Sequence, residues 1–368
     1  MSKIGLVTIY QVPNYGSVLQ CYATQKVLTD LGHDCRLIRY KFPNDWHFKQ
    51  GLTKTSSFRR LFRKFFPQKK DRVLDTFRNN YYNFTKQYKS LEELCREDWS
   101  SYDCFVVGSD QVWNTKFTCG DVFFLLAFTP KGKGRFAIAS SFASKHLPEA
   151  FHTIFKDELS KFSAISVREN NGLDIIRKDL SINKPVTVVL DPTLFLTKNE
   201  WMSICKLSRP TPQKPYILFY MWTYAFEPRP YIYEVAKYFQ DKLDCDVISL
   251  EGFEENHYTQ SMRMQNRTDA SIEEFLELFD NAKLVITSSF HGTAFSLNFG
   301  KPFISVVPDN NEDDRQTSLI KEFGLTNCIA RIGQDISSLN PYYNVVEEQN
   351  KLAMLRESSL AWINGNIK

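Results

Sequence analysis

No two cysteines of this sequence stand at Cys-x-x-Cys spacing, and no Gly-x-Gly-x-x-Gly or Walker-type loop is present. Long runs of Lys and Arg are missing, and so is any apolar run of the ~18 residues needed to cross a bilayer. Each absence closes a class. The eight cysteines (Cys21, Cys35, Cys95, Cys104, Cys119, Cys205, Cys245, Cys328) are scattered, which argues against a disulfide framework or a zinc site and for reduced thiols in a cytoplasmic protein. No metal-ligand spacing occurs, so no metal and no bound cofactor are expected. A formal net charge of +4 is too mild for a nucleic-acid partner, although it suits an anionic ligand. The stretch from Met1 to Gln11 has no basic region followed by a long apolar core, and it reads as a first strand rather than a leader.

What is present is an ordinary globular composition, 43% apolar and 24% charged, with 30 Phe and 17 Tyr. Those aromatics suit stacking on sugar rings and thick cores equally. The length of 368 residues accommodates two domains. Lys3 to Tyr10 predicts a buried parallel strand, followed by a helix to Gly32 and a strand from Cys35 to Tyr40. This strand–loop–helix–strand grammar returns from Tyr102, Arg135, Ala164 and Val186, and again in the second half from Tyr216, Asp246, Lys283 and Pro302. In the second half Ser271 and Glu274 predict a capping box, and a helix is expected from Thr293 to Phe299. A Pro-marked stretch, 210–215, places a boundary near 196–215. The expected division is 1–200, 214–345 and a C-terminal helix over 346–368. The fold class is α/β, with two Rossmann-like domains facing a cleft.

In open parallel sheets ligands bind beyond the carboxyl ends of the strands, where unpaired N–H groups at helix starts attract anions. Four segments have that placement. Thr287-Ser288-Ser289-Phe290-His291-Gly292-Thr293 joins hydroxyls, an imidazole and a glycine at a helix start, although Ser288 or Ser289 as a cap and His291 as a packing residue is the plain alternative. Asn14-Tyr15-Gly16-Ser17 reads evenly as turn or site. Gly108-Ser109-Asp110-Gln111-Val112-Trp113-Asn114 resembles a sugar-binding surface, against a capping aspartate with Trp113 in the core. Arg168, after Ser166, fits a carboxylate or phosphate clamp or a salt bridge with Glu169 or Asp191, and Asp191-Pro192 is also a plain turn signal.

Together these segments resemble the polysaccharide pyruvyl transferase family. The blocks NYGSVLQCYATQKVLTDLGH, VVGSDQVWN, SVRENNGLDIIRK, VLDPTLFL and LVITSSFHGTAFSLNFGKPFISV follow one another in order. The resemblance implies two Rossmann-like domains in a GT-B-like arrangement, phosphoenolpyruvate as donor co-substrate and a sugar hydroxyl as acceptor. It also implies donor-side residues Arg168, Ser288, Ser289, Gly292 and Thr293 with His291 as general acid. Asp110 or Asp191 is the base. Asn14, Tyr15, Gly16, Ser17, Gln111, Trp113 and Asn114 fall on the acceptor side. The sequence departs from the family at Ser289, where many members carry arginine. Arg315 is the expected replacement cation.

Two other functions share these features: a GT-B glycosyltransferase using a nucleotide sugar, and a non-enzymatic sugar-binding protein of polysaccharide assembly. Residues 58–70 bear on location. Phe58, Leu61, Phe62, Phe65 and Phe66 share one helical face, with Arg59, Arg60, Arg63 and Lys64 elsewhere. Such a helix either packs into the core or lies on the inner face of the membrane, where a lipid-diphosphate-linked acceptor would be found.

Overall fold

A computed structural model describes residues 1–42, 69–205, 212, 214–253, 255–310 and 312–367. The amphipathic stretch from Phe58 to Phe66 lies outside the described residues. The chain forms two compact units: Met1–Phe195 with Glu312–Asp314 and Arg356–Lys368, and Leu196–Asn311 with Arg315–Leu355.

The first unit is built on a seven-stranded sheet ordered β3-β2-β1-β4-β5-β6-β7. Its strands are β1 (Lys3–Val7), β2 (Asp34–Tyr40), β3 (Phe84–Tyr88), β4 (Cys104–Gly108), β5 (Gly134–Ser140), β6 (Ala164–Val167) and β7 (Val186–Val188). All pairings are parallel. Helix α1 (Tyr15–Asp30) follows β1, and α2 (Lys69–Tyr81) precedes β3. β1 and β4 carry Leu6, Val7, Phe105, Val106 and Val107 fully buried, because helices cover both faces of a parallel sheet. Much of the phenylalanine content goes into this core: Phe105, Phe123, Phe124, Phe142 and Phe162 have no exposed surface.

The second unit carries a six-stranded sheet ordered β10-β9-β8-β11-β12-β13. The strands are β8 (Tyr216–Tyr220), β9 (Asp246–Ser249), β10 (Met264–Asn266), β11 (Leu284–Thr287), β12 (Phe303–Val307) and β13 (Ile329–Arg331), again all parallel. Numbered within the unit this is the 3-2-1-4-5-6 order of a Rossmann sheet. Helix α3 (Ile272–Asn281) shows why these residues fold so: Ile272, Phe275, Leu276 and Phe279 fall on one stripe and are buried. Ser271 caps it through the Glu274 N–H, as expected, while the Glu274 carboxylate pairs with Arg267 at 3.2 Å. Helices α4 (Phe290–Asn298) and α5 (Arg315–Glu322) flank β12 in sequence.

The C-terminal helix α6 (Val345–Asn366) begins in the second unit and ends in the first. Within the first unit its Ser359 hydroxyl accepts the Leu190 N–H at 3.1 Å, Arg356 Nε donates to the Leu194 carbonyl at 2.7 Å, and Ile363 is buried. All eight cysteines are free thiols. Burial pushes Cys21 up to about 12. No helix among the described residues is long and apolar enough to cross a membrane.

Candidate active site

Each sheet reverses its strand order at one place, and three of the four sequence-selected segments follow strands that border these reversals. In the first unit the reversal lies between β1 and β4, and the chains leaving both strands carry two of the four segments. Asn14 caps α1, its side chain accepting the Ser17 N–H at 3.0 Å. The Ser17 hydroxyl then donates to Asp110 Oδ2 at 2.5 Å, joining the first segment to the third across 93 residues. Asp110 sits at φ 64, a left-handed conformation that strains a non-glycine residue, and Ala139 at the end of β5 does the same at φ 51. The strain has a local cause at Ala139: the β5–β6 register shifts between Ala137 and Ser140, and the Ser166 hydroxyl takes up the Ala139 N–H at 3.1 Å.

Arg168, just beyond β6, has a side chain with 0% exposure. Its Nη1 lies 2.6 Å from Asp191 Oδ2, its Nη2 3.5 Å from Asp110 Oδ1 and its Nε 3.8 Å from Glu169 Oε2. Three carboxylates therefore lie within 4 Å of this guanidinium. The salt-bridge alternative is the geometry present. Asp191 also accepts the Ser109 hydroxyl at 2.6 Å on the same oxygen, and the Thr193 N–H and hydroxyl at 3.0 and 2.7 Å on the other. It is both the turn former and an ion-pair partner. Glu169 accepts the Phe142 N–H at 3.0 Å. The Ser141 hydroxyl, fully buried between these bonds, has no hydrogen-bond partner among the described residues and was not singled out from sequence.

Other acceptor-side expectations separate here. Trp113 is a core residue: it has no exposed surface, its indole N–H donates to the Phe124 carbonyl at 3.0 Å, and its ring packs 5.1 Å from Phe142. No face is left for a sugar, so Trp113 is corrected to packing. Tyr15 is likewise buried, with Lys70 Nζ 4.5 Å from its ring centroid, and Gly16 beside it is buried in the same turn. Gln111 and Asn114 bond to each other at 2.7 Å, and Asn114 caps the short helix Thr115–Thr118.

In the second unit the reversal lies between β8 and β11, where Thr287 pairs with Tyr220. The Thr287 hydroxyl donates to the Tyr220 carbonyl at 2.7 Å and accepts the Ser289 N–H at 3.0 Å. Ser289 caps α4 through the Gly292 N–H, and its carbonyl receives the Thr293 N–H at 3.0 Å. The helix thus starts at Phe290 rather than at Thr293, with Ser289, one of the two serines the sequence offered as a cap, in that place. His291 consequently lies within the first helical turn, buried at 6% exposure. A Cβ on Gly292 would fall 2.2 Å from Thr287 Oγ1, so glycine is required for the turn to close on β11.

Thr293 turns its hydroxyl back to this cap, donating to the Ser289 carbonyl at 3.3 Å. Its hydroxyl lies 2.9 Å from the Ser305 hydroxyl on β12, which accepts Gln316 Nε2 at 2.7 Å. That relay fixes the start of α5 beside the start of α4, and Arg315, buried at 7% exposure, is the first residue of α5. Ser288 does something different: its hydroxyl accepts the Trp222 N–H at 2.7 Å and donates to the Trp222 carbonyl at 2.9 Å. Trp222, in the loop after β8, was missed from sequence, where it stands alone in a stretch without a motif.

The fold is similar to that of UDP-GlcNAc 2-epimerase from Neisseria meningitidis, with a TM-score of 0.55, 10% identity, and coverage of 98% of this chain and 93% of that one. It is also similar to S. aureus MnaA, with a TM-score of 0.52, 12% identity and 97% coverage of both chains. These likenesses establish an α/β fold of two parallel sheets. No curated protein matches the chain. Residues 14–310, which hold every segment described except Arg315, match the family described as polysaccharide pyruvyl transferase. Covering well over half of the chain, that match shows that it belongs to the polysaccharide pyruvyl transferase family.

Proposed function

We propose that this protein transfers the three-carbon unit of phosphoenolpyruvate to a sugar of a polysaccharide or lipid-linked precursor in the cytoplasm, forming a pyruvate ketal. Family membership assigns a transferase of polysaccharide modification; the donor and the bond formed are our reading. The observation that carries it is the pairing of two helix starts in the second unit. His291 lies in the first turn of α4, and Arg315 opens α5, with Gln316, Ser305 and Thr293 tying the two together.

Phosphoenolpyruvate bears a phosphate and a carboxylate, and the first N–H groups of α4 with the Arg315 guanidinium offer complementary charge. His291 delivers a proton to the methylene carbon as the acceptor oxygen bonds to the central carbon. A second hydroxyl of the same sugar then displaces phosphate from that carbon, closing the ketal and releasing inorganic phosphate. Each hydroxyl must lose a proton. Both aspartates considered as base have both oxygens engaged, Asp191 by Arg168, Ser109 and Thr193 and Asp110 by the Ser17 hydroxyl and the Gln111 N–H, so either must give up a bond to take that proton. Arg168 enters this reading as the residue that positions those carboxylates rather than as a clamp on the donor.

Calorimetric titration with phosphoenolpyruvate tests the reading, with UDP-GlcNAc in parallel because the Neisseria epimerase of similar fold was solved with that ligand. Saturable binding of phosphoenolpyruvate is expected, weakened at least ~10-fold in Arg315→Ala. His291→Ala should keep the fold and binding but abolish phosphate release. Binding of UDP-GlcNAc alone would transfer the protein to the glycosyltransferase class.

A further inference from the structure

We propose that Trp222, with Tyr224 beside it, is the stacking platform for the acceptor's pyranose ring, and that Ser288 is the positioning residue that holds it. The inference rests on the reading above for the word acceptor, while the residues of the platform all belong to the second unit.

An acceptor hydroxyl must come within ~3–3.5 Å of the donor carbon to react, so its ring has to lie near the start of α4. A pyranose presents an apolar C–H face, and a flat aromatic surface is the side chain that binds it while leaving the hydroxyls to solvent and reactants. The loop after β8 emerges at the reversal point beside β11 and places two aromatics there. Trp222 is half-buried and Tyr224 is 36% exposed.

Two core tryptophans have their indole N–H satisfied: Trp99 donates to the Leu94 carbonyl at 2.9 Å and Trp113 to the Phe124 carbonyl at 3.0 Å. The Trp222 indole N–H has no such partner among the described residues, and no ring packs against it. A large half-exposed indole without a structural task is what a binding platform requires before its ligand arrives.

Its backbone, by contrast, is held on both sides. The Ser288 hydroxyl accepts from the Trp222 N–H and donates to the Trp222 carbonyl, at 2.7 and 2.9 Å. Ser288 is the residue immediately before the Ser289 cap of α4, so one serine couples the loop of Trp222 to the helix start that carries His291. The single proton of that hydroxyl goes to the clamp, so none is left to donate to an anion. This removes Ser288 from the donor-binding set and gives it a mechanical task.

The test is binding of the intact protein and its Trp222→Ala, Trp222→Phe, Ser288→Ala and Ser288→Thr variants to an array of hexose and N-acetylhexosamine pyranosides. Phosphoenolpyruvate calorimetry runs on the same preparations. Glycans bound by the wild type should lose at least ~10-fold in affinity in Trp222→Ala and retain most of it in Trp222→Phe. Ser288→Ala should weaken the same glycans, with rescue by Ser288→Thr, which keeps the hydroxyl. The emission attributable to Trp222, wild type minus Trp222→Phe, should shift to shorter wavelength when a bound glycan is added. Undiminished glycan binding by Trp222→Ala, or no pyranoside bound by the wild type, overturns the platform. Platform-dependent glycan binding without phosphoenolpyruvate binding would instead sink the donor assignment and leave the platform standing.

Discussion

Gly292 sets two physical rules against each other. Helix propensity favours alanine over glycine by about 1 kcal/mol in a helix interior. Packing forbids it here, since the added Cβ would meet the Thr287 side chain at 2.2 and 2.9 Å. We expect packing to win: Gly292→Ala should lower stability by about 1–3 kcal/mol in urea unfolding, and a gain would show that α4 can shift. Arg168 poses a starker case, because its partners are carboxylates with almost no access to water. Arg168→Met leaves those charges buried and uncompensated, which should cost about 3–5 kcal/mol in urea unfolding. A cost below about 1 kcal/mol would mean that another cation moves in. The sequence named Arg168, His291 and Asp110, because strand-end polar residues stand out from apolar runs. It could not rank ligand clamp against ion pair, since Asp191 comes 23 residues after Arg168 in the chain. The same blindness covered the tryptophans: Trp113 sits in a motif and is core, while Trp222 has no motif and is only half-buried.

Elements were legible where burial was two-sided. β6, β8 and β11 read as apolar runs because helices cover both their faces. β3, β10 and β13 are edge strands with the sequences FTKQY, MQN and IAR, too short and mixed to leave a signal. Short capped turns also escaped notice, among them the turn Val122–Leu125, capped by Asp121 through the Phe123 N–H at 2.9 Å. Burial holds the Asp121 carboxyl above its ordinary range, against the opposing effect of the Phe123 N–H and the Tyr40 hydroxyl. The folded state therefore binds this proton more tightly than the unfolded chain does. The stability it contributes is present below about pH 4 and is lost as pH rises through the raised value. Asp121→Asn keeps the capping oxygen and loses the charge. It should gain on the wild type as pH goes from about 4 to 7, and parallel stability curves for the two would refute the assignment.

Across the whole molecule the two Rossmann-like sheets were readable from alternating strand and helix signals. The sharing of α6 was not, because a helix's amphipathic stripe does not say which core it joins. Truncation after Leu355 should therefore damage the first unit, although its sheet lies wholly within the first 195 residues. Hydrogen exchange provides the measurement: the Leu190 amide, bonded to Ser359, should lose protection while the strands of the second unit keep theirs. Equal loss in both units would argue against a local role.

The bond from Leu190 to Ser359 spans 169 residues, and a ribosome adds about 5–20 residues per second. The two halves of that contact are thus born on the order of ten seconds to half a minute apart. All of the second unit is synthesised within that interval, its last residue, Leu355, preceding Arg356. The unit begun first is completed last, and a nascent chain must keep its β7 edge soluble while the other unit folds.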